Sequence, residues 1–477
     1  MNPSVSSPAE KAVSYFKTQF KSHMDDLKEL VKIPSVSFAG FPETEVIRSA
    51  EAVAQLLKKR GLQNVEILKL PNAHPYVYGE RLNAPDKPTL LLYAHHDVQP
   101  PGREELWKTS PFEPTEKQGP EGLRLYARGS ADDKAGIVVH TSAIASYLDT
   151  IGELPINVKV VIEGEEEIGS PNLYKFLSTY RKKLDADVLV LTDAGNFDCG
   201  IPALTIALRG LVGVDVEVRA LTKTVHSGMW GGPLPDSAMA LSKMLAALTD
   251  ENGRIAIPGI MDQVKPISAR EIEDFKKIPY NEGDFRKQSG IVDSAHLHRH
   301  ENPAVTPSIQ TWRLPSLTVN AIQASSRKQA GNVINDTAWA KVTIRIVPDM
   351  DPEQVSQALQ AFLRKNAPWG VEVHTKVEAC NGPWSTDPTG PAFQAAHIAL
   401  KKGYGQDALN IGCGGSIPFV QPFADALGGA PALLLGVEDP YTNAHGENES
   451  LHIGDFEKAC VSQIHLFSEI AEHWRKK

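Results

Sequence analysis

The sequence predicts an α/β protein built around a mostly parallel sheet, with a second α+β domain of ferredoxin-like pattern inserted into it. Three observations carry this expectation. From about residue 10 to 208, apolar runs alternate with amphipathic stretches, as in strands buried on both faces and connected by helices. At 212–218 the period changes: Val212, Val214, Val216 and Val218 take one face while Asp215, Glu217 and Arg219 take the other, the alternation of a strand with one wet face. Near the end, the unbroken run PALLLGV at 431–437 returns to the first kind and would complete the first sheet.

In chain order, the first part holds a helix near 23–32, a strand at 89–94, a helix at 133–149, a strand at 156–163, a helix at 171–184 and a strand at 186–192. The alternating strand RGLVGVDVEVRA opens the second part. A helix at about 236–249, strands near 316–324 and 337–347, a helix at 352–366 started by Asp351-Pro352 and a strand at 371–379 follow. This β-α-β-β-α-β order is the split βαβ pattern, interrupted by an irregular excursion between about 251 and 312. The tail adds a helix, a Gly-rich turn, the 431–437 strand and an amphipathic helix at 454–475. The expected domains are therefore 1–208 and 385–477 for the sheet domain and 209–384 for the insertion.

Composition narrows the function. At 477 residues the chain exceeds what one core usually supports, which agrees with two domains. Its 49 basic and 58 acidic residues give a net charge of −9, and no basic run is long enough to track phosphates, so no nucleic-acid partner is expected. The opening MNPSVSSPAEKAVSYFKTQF lacks the apolar stretch of a signal peptide, and nothing downstream is long and apolar enough to span a membrane; a cytoplasmic location is expected. Cys199, Cys380, Cys413 and Cys460 are scattered without CxxC spacing, so any metal must use oxygen and nitrogen ligands.

Five short clusters supply such ligands: AHHD at 94–97, ADD at 131–133, EEE at 165–167, TD at 192–193 and NAH at 443–445. Four of them follow strand-like runs: TLLLYA before His95, VKVVI before Glu163 to Glu167, DVLVL before Asp193, and PALLLGV before the loop carrying His445. Ligands in open parallel sheets gather at the carboxyl ends of the strands, so these groups share one rim. Carboxylates crowded so closely need compensating charge, most economically a pair of divalent cations. Imidazole with carboxylate suits zinc and also admits manganese or cobalt. Two such ions can polarise a carbonyl and generate hydroxide near neutral pH, so hydrolysis follows. Spacing alone leaves His96, Asp133, Glu163 and Glu165 open as alternatives within the clusters.

With these residues in view, the chain resembles the dinuclear metallopeptidase family of glutamate carboxypeptidase, acetylornithine deacetylase and the cytosolic dipeptidases, above all its carnosine/nonspecific dipeptidase branch. Eight ordered blocks carry the resemblance: LLLYAHHDVQP, YARGSADDKAG, EGEEEIGS, LTDAG, HSGMWGG, VTIRIVPDMDPE, GGSIP and NAHGENE. The family pattern implies His95 and Asp193 on one metal, Glu167 and His445 on the other, and Asp132 bridging both. It implies Asp97 as the partner orienting His95, and Glu166 as the general base that takes a proton from a metal-bridging water and returns it to the leaving amine. His226 would stabilise the oxyanion, supplied by the neighbouring subunit of a homodimer joined through the inserted lid and dimerisation domain. Arg345 would clamp the substrate's terminal carboxylate, with Ser416 and Asn332 adding hydrogen bonds.

Two segments depart from the family pattern. Asn332-Val333-Ile334 stands where related dipeptidases have a threonine in a KTVIP-like segment, and Ala379 to Trp384 lacks the lid histidine of an HGGKPW-like one. These departures bear on substrate preference and leave the ligand set intact. The HLHRH run at 296–300 has no acidic partners of similar spacing and is read as solvated surface, and Cys413 as a small packing residue. The expected activity is hydrolysis of dipeptides or short peptides with a free C-terminal carboxylate. An N-acyl-amino-acid deacylase using the same metals is the alternative, and a peptide-binding protein without catalysis is disfavoured by the intact Glu166 and ligands.

Overall fold

The computed structural model describes residues 6–415 and 420–474. Two compact units divide them. One comprises the chain up to Ile206, Thr386–Ile411 and the described residues from 420 onward; the other comprises Ala207–Ser385 and the described residues from Gly412.

In chain order the first unit contributes β1 (Gln63–Leu68), β2 (Tyr76–Arg81), β3 (Thr89–His95), β4 (Asn157–Glu163), β5 (Val188–Gly195) and β6 (Ala203–Leu208). The second contributes β7 (Gly210–Arg219), β8 (Ser316–Gln323), β9 (Thr337–Ile346) and β10 (Glu372–Asn381), after which β11 (Ala432–Glu438) returns to the first. The large sheet runs β1-β2-β4-β3-β5-β11-β6. Its centre, β4-β3-β5-β11, is parallel. β3 and β4 are buried from their second residue to their last, and β11 up to its last, so no alternation survives in the sequence. Helices α1 (Pro8–Val31), α3 (Lys134–Ile151), α7 (Pro391–Tyr404) and α8 (Ile453–His473) share one apolar core with these strands. α3 is buried along its whole length from Lys134 to Tyr147, which explains why its sequence shows almost no polar stripe.

The amino-terminal region holds more structure than the sequence reading assigns. α1 begins at Pro8, where Ser7 and Glu10 form a capping box, instead of near residue 23. α2 (Glu43–Lys59), β1 and β2 are additions; Val46, Ala50, Val53 and Leu57 repeat at helical spacing and are all buried. A hairpin of Thr115–Gly119 with Gly122–Tyr126 pairs antiparallel with Ser450–His452, and this register brings the 127–132 segment beside Glu449.

The second unit is a four-stranded antiparallel sheet of order β8-β9-β7-β10, the ferredoxin-like arrangement. α5 (Ser237–Ala246) and α6 (Pro352–Lys365) cover one face. Val212, Val214, Val216 and Val218 pack there with Ala340, Val342, Ile344, Leu241, Met244 and Leu359, so the period of two in β7 does reflect one buried and one wetter face. No helix among the described residues is long and apolar enough to cross a membrane.

Candidate metal centre

The first unit brings five of the expected ligands to one rim. His95 is the last residue of β3, Asp193 sits near the end of β5, and Asp132 lies on the turn before α3. Glu167 belongs to the short helix Glu166–Ile168 that follows β4, and His445 sits on the loop after β11 with a left-handed φ of 63°. Asp132 and Asp133 are joined by a cis peptide bond. They lie against the positive end of α3, which favours anionic groups.

Asp132 stands between the two imidazoles. Its Oδ1 is 3.0 Å from His95 Nε2 and its Oδ2 is 3.0 Å from His445 Nε2. Asp193 approaches His95 Nε2 at 3.8 Å and Glu166 at 4.0 Å, while Glu167 lies 3.3 Å from His445 Nε2. The ligand atoms of His95, Asp132 and Glu167 fall within one cation-sized cluster, and those of His95, Asp133 and Asp193 within another. Asp133, open as an alternative on spacing, thus remains near the first group: one of its oxygens accepts the His95 backbone N–H at 3.2 Å, and the other is buried without a hydrogen bond.

The tautomer of His95 follows from its other nitrogen. Nδ1 donates to the Asp97 carbonyl oxygen at 3.0 Å, and the Asp97 carboxylate is farther, at 3.4 Å. The backbone of Asp97 is thus the nearer orienting group, because two residues of turn fold its carbonyl back onto the ring. Its carboxylate instead accepts from Ser37 at 2.7 Å and from the backbone N–H groups of Glu166 and Glu167 at 3.2 and 3.0 Å. With Nδ1 donating, His95 Nε2 offers a lone pair to Asp132, an acceptor facing an acceptor, as a metal ligand should.

Electrostatics agree. Burial opposes charge on Asp132, yet the adjoining imidazoles of His445 and His95 hold its carboxyl well below the usual range. Burial and then the charge of Asp193 push Glu166 and Asp133 far up, and burial and then Asp132 do the same to Glu167. Such a set, with the orphaned Asp133 oxygen, fits divalent cations bound through nitrogen and oxygen. In the protein alone the carboxylates repel one another, and cations relieve exactly that cost.

The second unit holds His226, Asn332 and Arg345. His226, exposed, caps the short helix Ser227–Trp230: its Nδ1 accepts from the N–H groups of Gly228 and Met229 at 3.1 and 3.3 Å. Nε2 therefore carries the proton and is free to donate. The His226 strand pairs with Val333, and the carbonyl of exposed Asn332 accepts the Ser227 N–H at 2.9 Å. Arg345 is half-buried on β9, and burial lowers its pKa. Ser416 lies outside the described residues.

Several residues of the two units were not singled out from sequence. Glu449, fully buried, pairs with Arg128 at 2.6 Å and accepts the backbone N–H groups of Gly129, Ala131 and Asp132, so it fixes the turn that carries Asp132. Gln99 donates from its backbone and side chain to the two oxygens of Glu167, at 3.0 and 2.7 Å. Arg209 donates to Gly414 and Ser316 while burial and the nearby Arg345 charge lower its pKa to about 10. Glu438 ends β11; burial and then Asp132 and Asp193 push it well up. A carboxylate at a strand's carboxyl end is the same signal that marks Asp193, so Glu438 was findable. Glu449 and Gln99 act through contacts far apart in sequence and left no local pattern.

A rim of paired imidazoles and carboxylates on a parallel sheet, in a chain with a ferredoxin-like insertion, defines a metal-dependent hydrolase. The chain belongs to the peptidase family M20/M25/M40, whose family model matches residues 91–469, and it is a metal-dependent peptidase. It is 34% identical over 380 residues to the cysteinylglycine-S-conjugate dipeptidase of Corynebacterium striatum, covering 79% of this chain and 80% of the relative. With the Cys-Gly metallodipeptidase of Candida albicans it shares 30% identity over 465 residues, 92% of each chain. Among solved structures, human carnosine dipeptidase 1 superposes with a TM-score of 0.86 at 26% identity, covering 98% of this chain and 99% of that one.

Proposed function

We propose that this protein is a cytoplasmic dipeptidase that hydrolyses the peptide bond of dipeptides or short peptides bearing a free C-terminal carboxylate, working as a homodimer with two divalent cations per subunit. The observation that carries the reading is the Asp132 carboxylate, shared at 3.0 Å with both His95 and His445, with Glu166 at 4.0 Å from the same imidazole. The similarity to enzymes named as Cys-Gly and cysteinylglycine-conjugate dipeptidases supports the substrate class. Zinc is the proposed metal, with manganese or cobalt as substitutes, because the donors are imidazole and carboxylate without thiolate.

In this scheme His95, Asp132 and Asp193 hold one cation and Asp132, Glu167 and His445 the other. Bound there, the cations would supply Lewis acidity toward the scissile carbonyl and toward water. Glu166, half-buried and with its affinity for protons raised by burial and Asp193, takes the proton of the attacking water and returns it to the leaving amine. Asp97 holds His95 in its tautomer through its carbonyl and fixes the Glu166–Glu167 turn through its carboxylate. His226 donates from Nε2 to the developing oxyanion, and in the proposed homodimer does so across subunits through the inserted domain. Arg345 binds the substrate carboxylate through its planar fork, with Ser416 and Asn332 alongside. Arg209, itself within reach of the Arg345 charge, adds positive potential to the same unit.

The test is a panel of dipeptides against N-acetyl and N-succinyl amino acids, using protein reconstituted with zinc or manganese. Turnover of the dipeptides supports the reading. Cleavage of the acylated amino acids alone would make the protein a deacylase.

A further inference from the structure

Glu438 is a carboxylate near the metal centre to which the scheme above gives no task. It is the last residue of β11, in parallel register with Gly195 of β5, two residues past Asp193. Its carbonyl accepts the Asn196 N–H at 2.8 Å, which fixes the backbone at this strand end. The next residue, Asp439, forms a buried ion pair with Arg124 at 2.8 Å. Arg124 is thus engaged by Asp439, and Glu438 has no ion pair with it. The charges it feels most are those of Asp132 and Asp193.

The side chain is half-buried, yet among the described residues it takes no hydrogen bond and no ion pair; its resolved interactions are the electrostatic ones with other acids. It also belongs to neither cation-sized cluster that includes His95. A partly desolvated carboxylate without a partner is costly to keep, and one beside other acids is costlier still. Such a group is suited to a cation that arrives with the substrate. In a dipeptide, the free amino group is bonded to the carbon next to the scissile carbonyl, so its ammonium must lie within a few ångströms of the reacting centre.

We infer that Glu438 receives the free ammonium of the substrate's amino-terminal residue, and so makes this site select peptides with an unblocked amino end. The inference rests on the proposed dipeptidase reading and deepens it: Glu438 is a specificity residue, outside the metal ligands and the proton transfer. It also separates the dipeptidase from a deacylase in structural terms, because an N-acyl substrate brings no cation to this carboxylate.

The test compares Ala-Leu with N-propionyl-Leu, which has the same shape and the same scissile bond but lacks the amine. Both are assayed with zinc-reconstituted wild type and Glu438→Gln, with metal content measured on each sample. Wild type is expected to favour Ala-Leu by about 10- to 100-fold in kcat/KM, the range of one charge-assisted hydrogen bond. Glu438→Gln should lose most of that preference through KM for Ala-Leu, with N-propionyl-Leu turnover within about threefold and two metals retained. Equal loss on both substrates, or unchanged discrimination, overturns the inference while the dipeptidase reading stands. Should the variant not fold, wild type alone decides: no preference for Ala-Leu refutes the role of Glu438. Cleavage of N-propionyl-Leu without any cleavage of Ala-Leu would instead overturn the dipeptidase reading itself.

Discussion

Asp132 and His445 meet at 3.0 Å, Oδ2 to Nε2, while the other oxygen of the same carboxylate stands 3.0 Å from His95. One side chain thus serves both halves of the centre, and removing it should cost both cations. Asp132→Asn is expected to bind fewer than about half an equivalent of zinc, whereas His445→Ala, exposed at the rim and touching one half, keeps about one. Elemental analysis after dialysis reads the difference; equal losses in the two variants would mean that Asp132 is not shared.

Glu166 separates chemistry from metal binding. It flanks the ligand Glu167 and approaches His95 only to 4.0 Å. Glu166→Gln should keep two cations and lose about 10²–10⁴-fold in kcat with little change in KM, the range of a general base. Near-normal turnover in a metal-loaded sample would assign the base to another carboxylate.

His226 sits in the other unit with Nδ1 engaged by two backbone N–H groups, so its Nε2–H is available to donate. His226→Ala should lower kcat about 10²–10³-fold without changing metal content or dimerisation. Co-expression with a Glu166-inactive subunit should restore up to about a quarter of the activity if the donor acts across subunits, since about a quarter of the sites in random dimers would combine intact groups. Absence of restoration places the donor within one chain.

Acid should weaken the fold through buried histidines remote from catalysis. His23 stacks on Phe16 at 5.5 Å, and burial lowers its pKa from 6.5 to about 4. Its folded pKa is depressed, so the unfolded chain binds a proton below about 6.5 that the fold refuses until about 4. Stability from this group is complete above 6.5 and falls across that window, by about 3 kcal/mol. His23→Leu should flatten the loss between pH 7 and 4.5 in urea titrations; an unchanged slope would exclude His23 as a source.

Much of the centre was legible because its chemistry is local. Strand ends at His95, Glu163 and Asp193 follow apolar runs that the parallel sheet buries on both faces, and the ligands come directly after them. The insertion was legible for a similar reason: Val212 to Val218 alternate because β7 has one covered face. The amino-terminal layer was less so. Phe16 and Met24 line α1, but interspersed lysines and acids hide the stripe, and β1 is mostly exposed. Residues that hold the ligands in place left no signal at all, because Glu449 reaches Asp132 across more than three hundred residues of chain. Asp97 shows the limit of motif reasoning most clearly: the family pattern implies it as the partner orienting His95, and the nearer contact is made by its carbonyl oxygen, ahead of its carboxylate.

The account rests on two cations serving one peptidase site, and the most direct measurement is dipeptide hydrolysis as zinc is added back to chelator-stripped protein. Stripped protein is expected to be inactive, and the rate of Ala-Leu cleavage should rise to a plateau at two equivalents per chain. Full activity without metal, a plateau at one equivalent, or no cleavage of any dipeptide at saturation would contradict it.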